Sequence, residues 1–316
     1  MGSLPRRNRR RRVGGISVLQ AAEVFLTDLL VENNVCRAAT GLMPLCSPCS
    51  PEAGGGGIAL GCPFAFTSCS PAANFDATLT RCIVRNNSAL SARDAFGDCP
   101  TLDLHAAGGG IVYGCPNGTL TLRNVISAGN VVWADGETET SEGGALYFAG
   151  GTLLATNCTF ARNRAVEGQA VPGVSLSLSP GIHMASGGAA SEIHNSVLYD
   201  NLKCTMGTPP TVGTVACPGA VFLFDPIQGP APVSVTYSDV QAGEPGTGNL
   251  DVPPLFAGSG TTYADLSILP GSPLVDAGNP FPLFDDLFFP PSLGTKRNDI
   301  GSNGGPFAGG WVLTGN

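Results

Sequence analysis

The sequence has no long apolar run and no sustained helical period. No hydrophobic stretch approaches the roughly 20 residues that a membrane-spanning helix requires. Apolar residues do not recur at i, i+3 and i+4 over the roughly 10 residues that an amphipathic helix needs. These absences exclude a transmembrane helix and argue against a helical repeat.

Charge is scarce and mostly negative. Charged residues make up 13% of the 316 residues, and the formal net charge is −8. Six arginines lie within residues 1–12, so the rest of the chain has 10 basic and 24 acidic side chains, a net of −14. Such an acidic body argues against nucleic-acid binding through phosphate contacts. We predict that residues 1–12 are a basic, disordered tail or a truncated start; binding to an anionic surface is the alternative.

Recognisable catalytic motifs are also missing. The chain contains neither a G-x-S-x-G nucleophile motif nor a phosphate-binding loop. Its three histidines, His105, His183 and His194, are far apart in sequence, and it has two lysines, Lys203 and Lys296. Because arginine rarely gives up its proton, five arginines near the repeats are predicted to be exposed and solvated: Arg81, Arg85, Arg123, Arg162 and Arg164. The sequence predicts no catalytic and no cofactor-binding residue.

What the chain does contain is a recurring seven-residue signature. Its copies are DLLVENN (28–34), RCIVRNN (81–87), NVISAGN (124–130), NCTFARN (157–163), NSVLYDN (195–201) and a degenerate copy, YSDVQAG (237–243). Asparagine closes five of the six copies, and successive copies are 53, 43, 33, 38 and 42 residues apart. A constant motif at a varying period is typical of a solenoid with a fixed turn and variable loops.

Short β-rich runs that break at asparagine or glycine predict the coils of an all-β, right-handed parallel β-helix. Neighbouring coils would be about 4.8 Å apart, so that equivalent residues stack. The closing asparagines should form one hydrogen-bonded column and supply the left-handed bend. The second and fourth positions, and the residue two before each copy, should face the core. Cys82 and Cys158 fit there as small buried hydrophobes rather than as disulfide or metal partners.

Glycine runs precede the copies and predict tight corners where a side chain would clash. The runs include 54–57, 108–110 and 143–144. Variable loops follow the copies at 36–53, 88–107, 134–142, 165–186 and 202–218. Since each loop follows the same motif, all should project from one side of the solenoid.

The fourth copy also carries a family resemblance. Residues 143–146 read GGAL and residues 160–163 read FARN. They resemble the paired GGA-[ILV] and FxxN motifs of polymorphic outer-membrane-type repeats. More broadly, residues 13–306 resemble bacterial right-handed parallel β-helix repeat proteins, which are pectate-lyase-like. The resemblance implies a surface or extracellular setting and carries no established catalytic residues.

The C-terminal part resembles the closing segment of many secreted bacterial β-helix proteins. It contains YSDVQAGEPGTGNLDVPPLF, LSILPGSPLVDAGNP and KRNDIGSNGGP. We therefore divide the chain into a tail (1–12), β-helix repeats (13–243) and a last coil with a C-terminal cap (244–316). Phe281, Phe284, Phe288 and Phe289 are expected to cover the last coil, because an open sheet edge needs protection.

Nine of the eleven cysteines lie in or beside the loops: Cys36, Cys46, Cys49, Cys62, Cys69, Cys99, Cys115, Cys204 and Cys217. Expected disulfide pairs are Cys204 with Cys217, Cys62 with Cys69, Cys99 with Cys115, and Cys36 with Cys46 or Cys49. Disulfides that pin loops indicate an oxidising compartment, and therefore an extracellular or bacterial cell-surface location.

One acidic loop is a candidate calcium site. Asp135, Glu137 and Glu139 lie close together, and calcium prefers several carboxylate oxygens. The spacing departs from that of an EF-hand loop, and the alternative is an ordinary solvated loop. Calcium is the one cofactor that the sequence suggests.

These features favour a secreted or cell-surface protein with a non-enzymatic binding, adhesive or structural role. Its partner would be a polysaccharide or a cell-surface molecule. The alternative is a polysaccharide lyase or glycoside hydrolase whose site is built across coils. A groove with two carboxylates, or with a carboxylate and a basic group, within about 10 Å would favour that alternative. A smooth apolar face would count against it.

Overall fold

The structure is a computed structural model that describes residues 15–18, 23–39, 52–61, 74–92, 103–134, 138–167, 177–186, 191–205, 221–223 and 227–311. These residues form strands β1–β28 and one short 3-10 helix, Pro282–Phe284. No helix in these ranges is long and apolar enough to cross a membrane.

The strands build five sheets, which we name A to E in the order in which each coil visits them. Sheet A contains β5 (Glu52–Gly54), β10 (Asp103–Ala107), β15 (Thr138–Glu142) and β20 (Ser177–Ser179). Sheet B contains β1 (Ile16–Val18), β6 (Ile58–Gly61), β11 (Ile111–Gly114), β16 (Leu146–Phe148), β21 (Ile182–Met184) and β26 (Ile227–Gln228). Sheet C contains β2 (Glu23–Thr27), β7 (Asp76–Thr80), β12 (Thr119–Arg123), β17 (Thr152–Thr156), β22 (Glu192–His194) and β27 (Ser234–Thr236). Sheet D contains β3 (Leu30–Glu32), β8 (Ile83–Arg85), β13 (Ile126–Ala128), β18 (Thr159–Ala161), β23 (Val197–Tyr199) and β28 (Asp239–Val240). Sheet E contains β4 (Val35–Ala39), β9 (Ser88–Ala92), β14 (Val131–Ala134), β19 (Arg164–Glu167), β24 (Leu202–Thr205) and β25 (Val221–Leu223).

Each strand pairs in parallel with its equivalents in neighbouring coils, for example β7 with β2 and β12. The described exception is the antiparallel pair β24–β25. Sheets B, C and D each contain six strands, one per coil. The predicted parallel β-helix is therefore confirmed, with six coils; its right-handed sense stays a prediction.

The main core lies between sheets B, C and D, where the sequence pattern placed it. The fourth-position residues Val84, Phe160 and Leu198 are buried in this core. At the second position, Cys82 and Cys158 are buried there as free thiols, as predicted. Burial raises the pKa of the Cys158 thiol to about 12, which keeps it protonated and unreactive.

The closing asparagines form the predicted column. Each side-chain amide donates to the side-chain oxygen of the next asparagine, at 2.9–3.1 Å, in the order Asn34, Asn87, Asn130, Asn163 and Asn201. The same oxygens also accept the backbone N–H groups of the preceding asparagines at 3.0–3.1 Å. The column therefore satisfies both backbone and side-chain groups in the interior.

The prediction that the closing asparagines supply the left-handed bend was wrong, although other residues of the copies, including Asn195, do supply it. Positive φ values, from 49° to 73°, occur at the first and sixth positions of all six copies, and not at the closing asparagines. The asparagine side chain is thus needed for the column, while the residue before it makes the bend. Arg162 and Asp200 can occupy that position because the surrounding pairing outweighs the modest strain of left-handed backbone.

The glycine corners make room for the asparagine column. A Cβ atom on Gly110 would lie 2.8 Å from Nδ2 of Asn130 and 2.7 Å from the backbone oxygen of Ala145. A Cβ on Gly57 would lie 2.8 Å from Nδ2 of Asn87. The asparagine side chain that closes a copy therefore fits only because the glycine before that copy has no side chain.

The predicted loops were too long, because most of them contain strands. Sheets A and E lie within these segments and pack face to face through small side chains: Cys36, Ala53, Ala89, Ala106, Val132, Ala134 and Ala165. Such short runs of small residues carry a weak β signal, which is why they read as loops. The segments that remain between the two sheets leave the end of sheet E and return at the start of sheet A, so they attach along one edge of the solenoid.

The C-terminal segment packs along the outer face of sheet D. Residues 247–250 extend the last coil, where the N–H of Leu250 donates to the carbonyl of Ser238. The chain then turns back, and Leu266 and Trp311 pack on Ile83 and Ile126. Asn124 and Asn157, at the first signature position, donate to backbone oxygens of residues 299–304.

Three of the four phenylalanines expected over the last coil are exposed instead. Phe281, Phe288 and Phe289 have exposed fractions of 61%, 44% and 49%. Phe284 lies beside His194 of the fifth coil, with 6.0 Å between ring centroids. Apolar side chains of the C-terminal segment, such as Leu266 and Leu274, are instead buried against the outer face of sheet D.

We expect the protein to become less stable as the pH rises from about 4 to 7. Asp239, Asp286 and Asp299 are almost fully buried, and burial raises their pKa values to about 7, about 7 and about 6. The folded state therefore keeps protons that the unfolded state has released, and this stabilisation is lost as the pH rises through 6 to 7. Thermal unfolding should show a decrease of several degrees, on the order of 1 kcal/mol per carboxyl.

Asp286→Asn should flatten this pH profile, since the neutral amide cannot ionise. Asp76→Asn, at an exposed carboxyl on sheet C, is the matched control and should leave the slope unchanged. Equal slopes in all three proteins would show that these buried carboxyls do not determine the pH dependence.

Candidate functional site

Most residues singled out from the sequence are not brought together. Asp135 and Glu137 lie outside the described residues, and Glu139 lies on β15, so the calcium site stays a prediction. No group of three or more His, Cys, Asp or Glu side chains in the described ranges has a metal-binding arrangement.

The arginines were predicted to be solvated, and this was wrong. All five are only partly exposed. Arg81 and Arg85 form ion pairs with Asp28 and Glu32 of the coil below, at 2.6 Å each. Arg162 donates to the backbone oxygens of residues 258 and 260 in the C-terminal segment. Stacking places each arginine beside the neighbouring coil or that segment, so these side chains are structural.

The disulfide pairings stay predictions. Six loop cysteines lie outside the described residues: Cys46, Cys49, Cys62, Cys69, Cys99 and Cys217. Cys36 and Cys115 are buried, and Cys204 is disulfide-bonded.

The structure does bring together two histidines that are 78 residues apart. His105 of the third coil and His183 of the fifth coil lie on opposite sides of Glu142 of the fourth coil. Their Nε2 atoms lie 3.3 Å and 3.6 Å from Oε2 of Glu142. One carboxylate therefore contacts an imidazole from each neighbouring coil.

These side chains lie where the outer faces of sheets A and B meet, which we call the A–B corner. Ala107 pairs in register with Glu142, and Val112 with Tyr147. Ala107 and Val112 face away from the main core, yet both are 0% exposed. Neighbouring atoms therefore cover these two outward side chains at the A–B corner.

Tyr147 adds an aromatic ring to the A–B corner. Its ring stacks on His183 at 5.4 Å with an interplanar angle of 5°, and meets the edge of the His105 ring at 5.6 Å and 70°. The rings hold the two imidazoles in fixed orientations. The side chains of His105, Glu142 and His183 are 25%, 12% and 9% exposed, so His105 is the most accessible of the three.

Burial controls the charge of His183. Loss of solvation lowers its pKa, an effect that the negative charge of Glu142 partly offsets. His183 is therefore neutral near pH 7. Its buried Nδ1 has no hydrogen-bond partner among the described residues, which leaves a polar atom that a ligand could satisfy.

A second histidine–carboxylate pair lies outside the A–B corner. On the outer face of sheet C, Nε2 of His194 lies 2.9 Å from Oε2 of Glu192, and Nδ1 lies 2.5 Å from Oγ1 of Thr236. Glu192 is about half exposed, and no second imidazole joins the pair among the described residues. It serves below as the matched control for the A–B corner.

The sequence pattern contained one signal for the A–B corner. Glu142 directly precedes the glycine corner at Gly143, as Ala107 precedes Gly108, so an alignment on the glycines places His105 two positions before the equivalent of Glu142. The separation in sequence does not reveal that His105 and Glu142 are close, because the coils differ in length. Comparisons with protein-family models, with curated proteins and with solved structures find no match to this chain.

Proposed function

We propose that this chain is an exported β-helix protein that binds a glycan in the A–B corner. The observation that carries the proposal is the contact of Glu142 with His105 and His183 across three coils. Neighbouring coils repeat at about 4.8 Å, so the corner presents polar groups in a line along the solenoid. An extended polymer with regularly spaced hydroxyl groups is the ligand that such a line fits best.

The composition of the A–B corner supports a carbohydrate ligand. Imidazole, carboxylate and phenol groups supply both donors and acceptors, as sugar hydroxyls require. Tyr147 adds an aromatic ring beside them. A few convergent polar groups are typical of small-molecule and oligomer recognition.

Export is part of the proposal. The bonded state of Cys204 supports it, because disulfides persist mainly in oxidising compartments. The resemblance to bacterial right-handed parallel β-helix repeat proteins supports a secreted or cell-surface location. Fractionation of cells that produce the full chain tests this part, and recovery of the chain only in the cytoplasm would reject it.

We expect Tyr147→Ala and His105→Ala each to weaken glycan binding at least tenfold, about 1.4 kcal/mol, because each removes a polar group of the A–B corner. The full chain would be screened against neutral and acidic glycans by calorimetry, with and without calcium. His194→Ala should bind like the original protein, since its histidine lies on sheet C. Equal affinity in all variants would remove the A–B corner as the site, and a need for calcium would support the predicted metal loop.

A second candidate function is adhesion or scaffolding through the variable segments. Their attachment along one edge of the solenoid favours it. Replacing residues 168–176 with a short glycine–serine linker should then abolish attachment to cells and leave glycan binding intact. Loss of neither property would reject this second role.

A further inference from the structure

Exposed apolar side chains are concentrated in one stretch of the C-terminal segment, residues 281–289, which we call the apolar loop. It reads FPLFDDLFF. The described ranges contain eleven exposed large apolar side chains, and five of them lie within these nine residues: Phe281, Leu283, Leu287, Phe288 and Phe289. Apolar side chains at a protein surface are normally scattered singly. A cluster of this kind therefore indicates a surface that contacts an apolar partner.

The polarity of the apolar loop is the reverse of that of an ordinary surface loop. Its two carboxyl groups face inward, since Asp286 is 2% exposed and the side chain of Asp285 is 16% exposed. Asp286 accepts the backbone N–H groups of Asp299, at 3.1 Å, and of Gly305. Aspartate is rarely buried, whereas leucine and phenylalanine are usually inside. The charged residues of the loop thus anchor it, and the apolar residues on both sides of them are left outside.

Further hydrogen bonds fasten the apolar loop to the side of the solenoid. The N–H of Asp286 donates to the carbonyl of Lys296 at 2.8 Å. Nδ2 of Asn298 donates to the backbone oxygen of Phe284 at 2.6 Å, and Oδ1 of Asn298 accepts from Asn157 of the fourth coil at 3.0 Å. The exposed side chains are therefore presented on a fixed backbone, which reduces the entropy that binding would cost.

The size and shape of the apolar loop favour a lipid bilayer over a protein partner. If a fully exposed side chain of this size offers about 200 Å², the five exposed fractions correspond to roughly 600 Å². A standard protein interface buries about 800 Å² on each partner. Phe281, Leu283 and Leu287 are 61%, 70% and 63% exposed, so they protrude and do not line a depression. Protruding side chains suit a deformable partner such as a bilayer.

The charges beside the apolar loop favour the same partner. The body of the chain is acidic, yet the first charged residues after the loop are basic and exposed, namely Lys296 and Arg297. Nζ of Lys296 lies 3.5 Å from Oδ2 of Asp285, and its side chain is 80% exposed. Basic side chains next to exposed phenylalanine and leucine are typical of segments that lie in a membrane interface. The basic groups contact lipid phosphates while the apolar groups enter more deeply.

We propose that the apolar loop attaches this chain peripherally to a phospholipid bilayer. Phe281, Leu283 and Leu287 insert at the boundary between headgroups and acyl chains, and Lys296 lies at the level of the phosphates. This attachment is separate from glycan binding in the A–B corner, because the apolar loop packs beside sheet C, where Phe284 contacts His194.

Cosedimentation of the full chain with phosphatidylcholine vesicles, with and without phosphatidylglycerol, tests the proposal at physiological salt. We expect binding to both kinds of vesicle, because insertion of apolar side chains does not require anionic lipid. The triple variant Phe281→Ser/Leu283→Ser/Leu287→Ser should lower the partition coefficient at least tenfold, since membrane affinity scales with the apolar area that is inserted.

The matched control is the triple variant Phe25→Ser/Leu255→Ser/Leu269→Ser. It also removes one phenylalanine and two leucines, which are 66%, 46% and 45% exposed, but all three lie outside the apolar loop. This variant should bind vesicles like the original protein. Circular dichroism and thermal melts confirm that both triple variants are folded.

Leu287→Trp reports the insertion directly. Brominated acyl chains quench tryptophan fluorescence on contact, so vesicles of brominated phosphatidylcholine should quench the added indole. Phe25→Trp is the control and should show no added quenching. The chain's own Trp133 and Trp311 are 1% and 9% exposed, so they contribute the same background in both variants.

Four results would overturn the proposal. The first is failure to bind either kind of vesicle, and the second is an equal loss of binding in the two triple variants. The third is binding only to anionic vesicles that high salt abolishes and the loop variant retains, which would assign the attachment to charge alone. The fourth is a dimer, seen by sedimentation velocity without vesicles, that the loop variant dissociates, which would make a second copy the partner.

Discussion

Replacing Asn130 with leucine should lower the free energy of unfolding by about 4 kcal/mol, or prevent folding. Asn130 is fully buried in the middle of the asparagine column. Its side chain donates to Oδ1 of Asn163 and to the carbonyl of Val84, and accepts both the backbone and the side-chain N–H of Asn87. Leucine would leave these buried partners unsatisfied, at about 1–3 kcal/mol each.

Urea unfolding followed by circular dichroism measures this effect, and Asn34→Leu is the matched control. Asn34 is the first member of the column, is partly exposed, and donates to Oδ1 of Asn87. Water can replace part of what it loses, so we expect a cost of about 1–2 kcal/mol there. Similar costs at the two positions would show that the column contributes little to stability.

Ile126→Lys should destabilise the fold by about 3–5 kcal/mol, because it buries an unpaired charge. Ile126 occupies the third signature position on the outer face of sheet D, where it is 0% exposed in a cluster that includes Leu266 and Trp311. Leu30 occupies the same position in the first coil and is 40% exposed. Leu30→Lys should therefore cost less than about 1 kcal/mol.

Thermal and urea unfolding of the two variants test the placement of the C-terminal segment. Both substitutions replace a branched aliphatic side chain with lysine at the third signature position, and the main difference is what covers that position. If Ile126→Lys is no more damaging than Leu30→Lys, the segment does not pack on sheet D.

The core and the asparagine column could be predicted because parallel stacking repeats every position. Once one copy assigns Cys158 and Phe160 to the interior, Cys82 and Val84 must follow at the same positions of another coil. The bend could not be assigned in the same way. Position six holds Asn33, Arg162 and other unrelated residues. No common side chain therefore marks the left-handed backbone that they share.

The sequence carries a trace of the docking of the C-terminal segment. Ile83, Ile126 and Val197 alternate with core residues and so point outward, yet they are apolar. An apolar row on an outer face indicates that another element covers it. The sequence does not predict which element covers this face. The C-terminal segment contains almost no regular strand, so the path of its chain cannot be inferred from a strand pattern.

The A–B corner could not be predicted for a related reason. Glu142 lies 37 residues from His105 and 41 from His183, and the segments between them vary in length. No motif spans such distances. Only the register of β10, β15 and the strands of sheet B converts these separations into contacts of 3–4 Å.

The sequence by itself determined the repeating coil, its inward positions and its asparagine column, because these depend on short-range periodicity and on hydrogen bonds between equivalent residues. The tertiary structure alone decided which outer faces are covered and which side chains of different coils meet. Those outcomes depend on the angle between sheets and on the return path of the C-terminal segment, which no local pattern encodes.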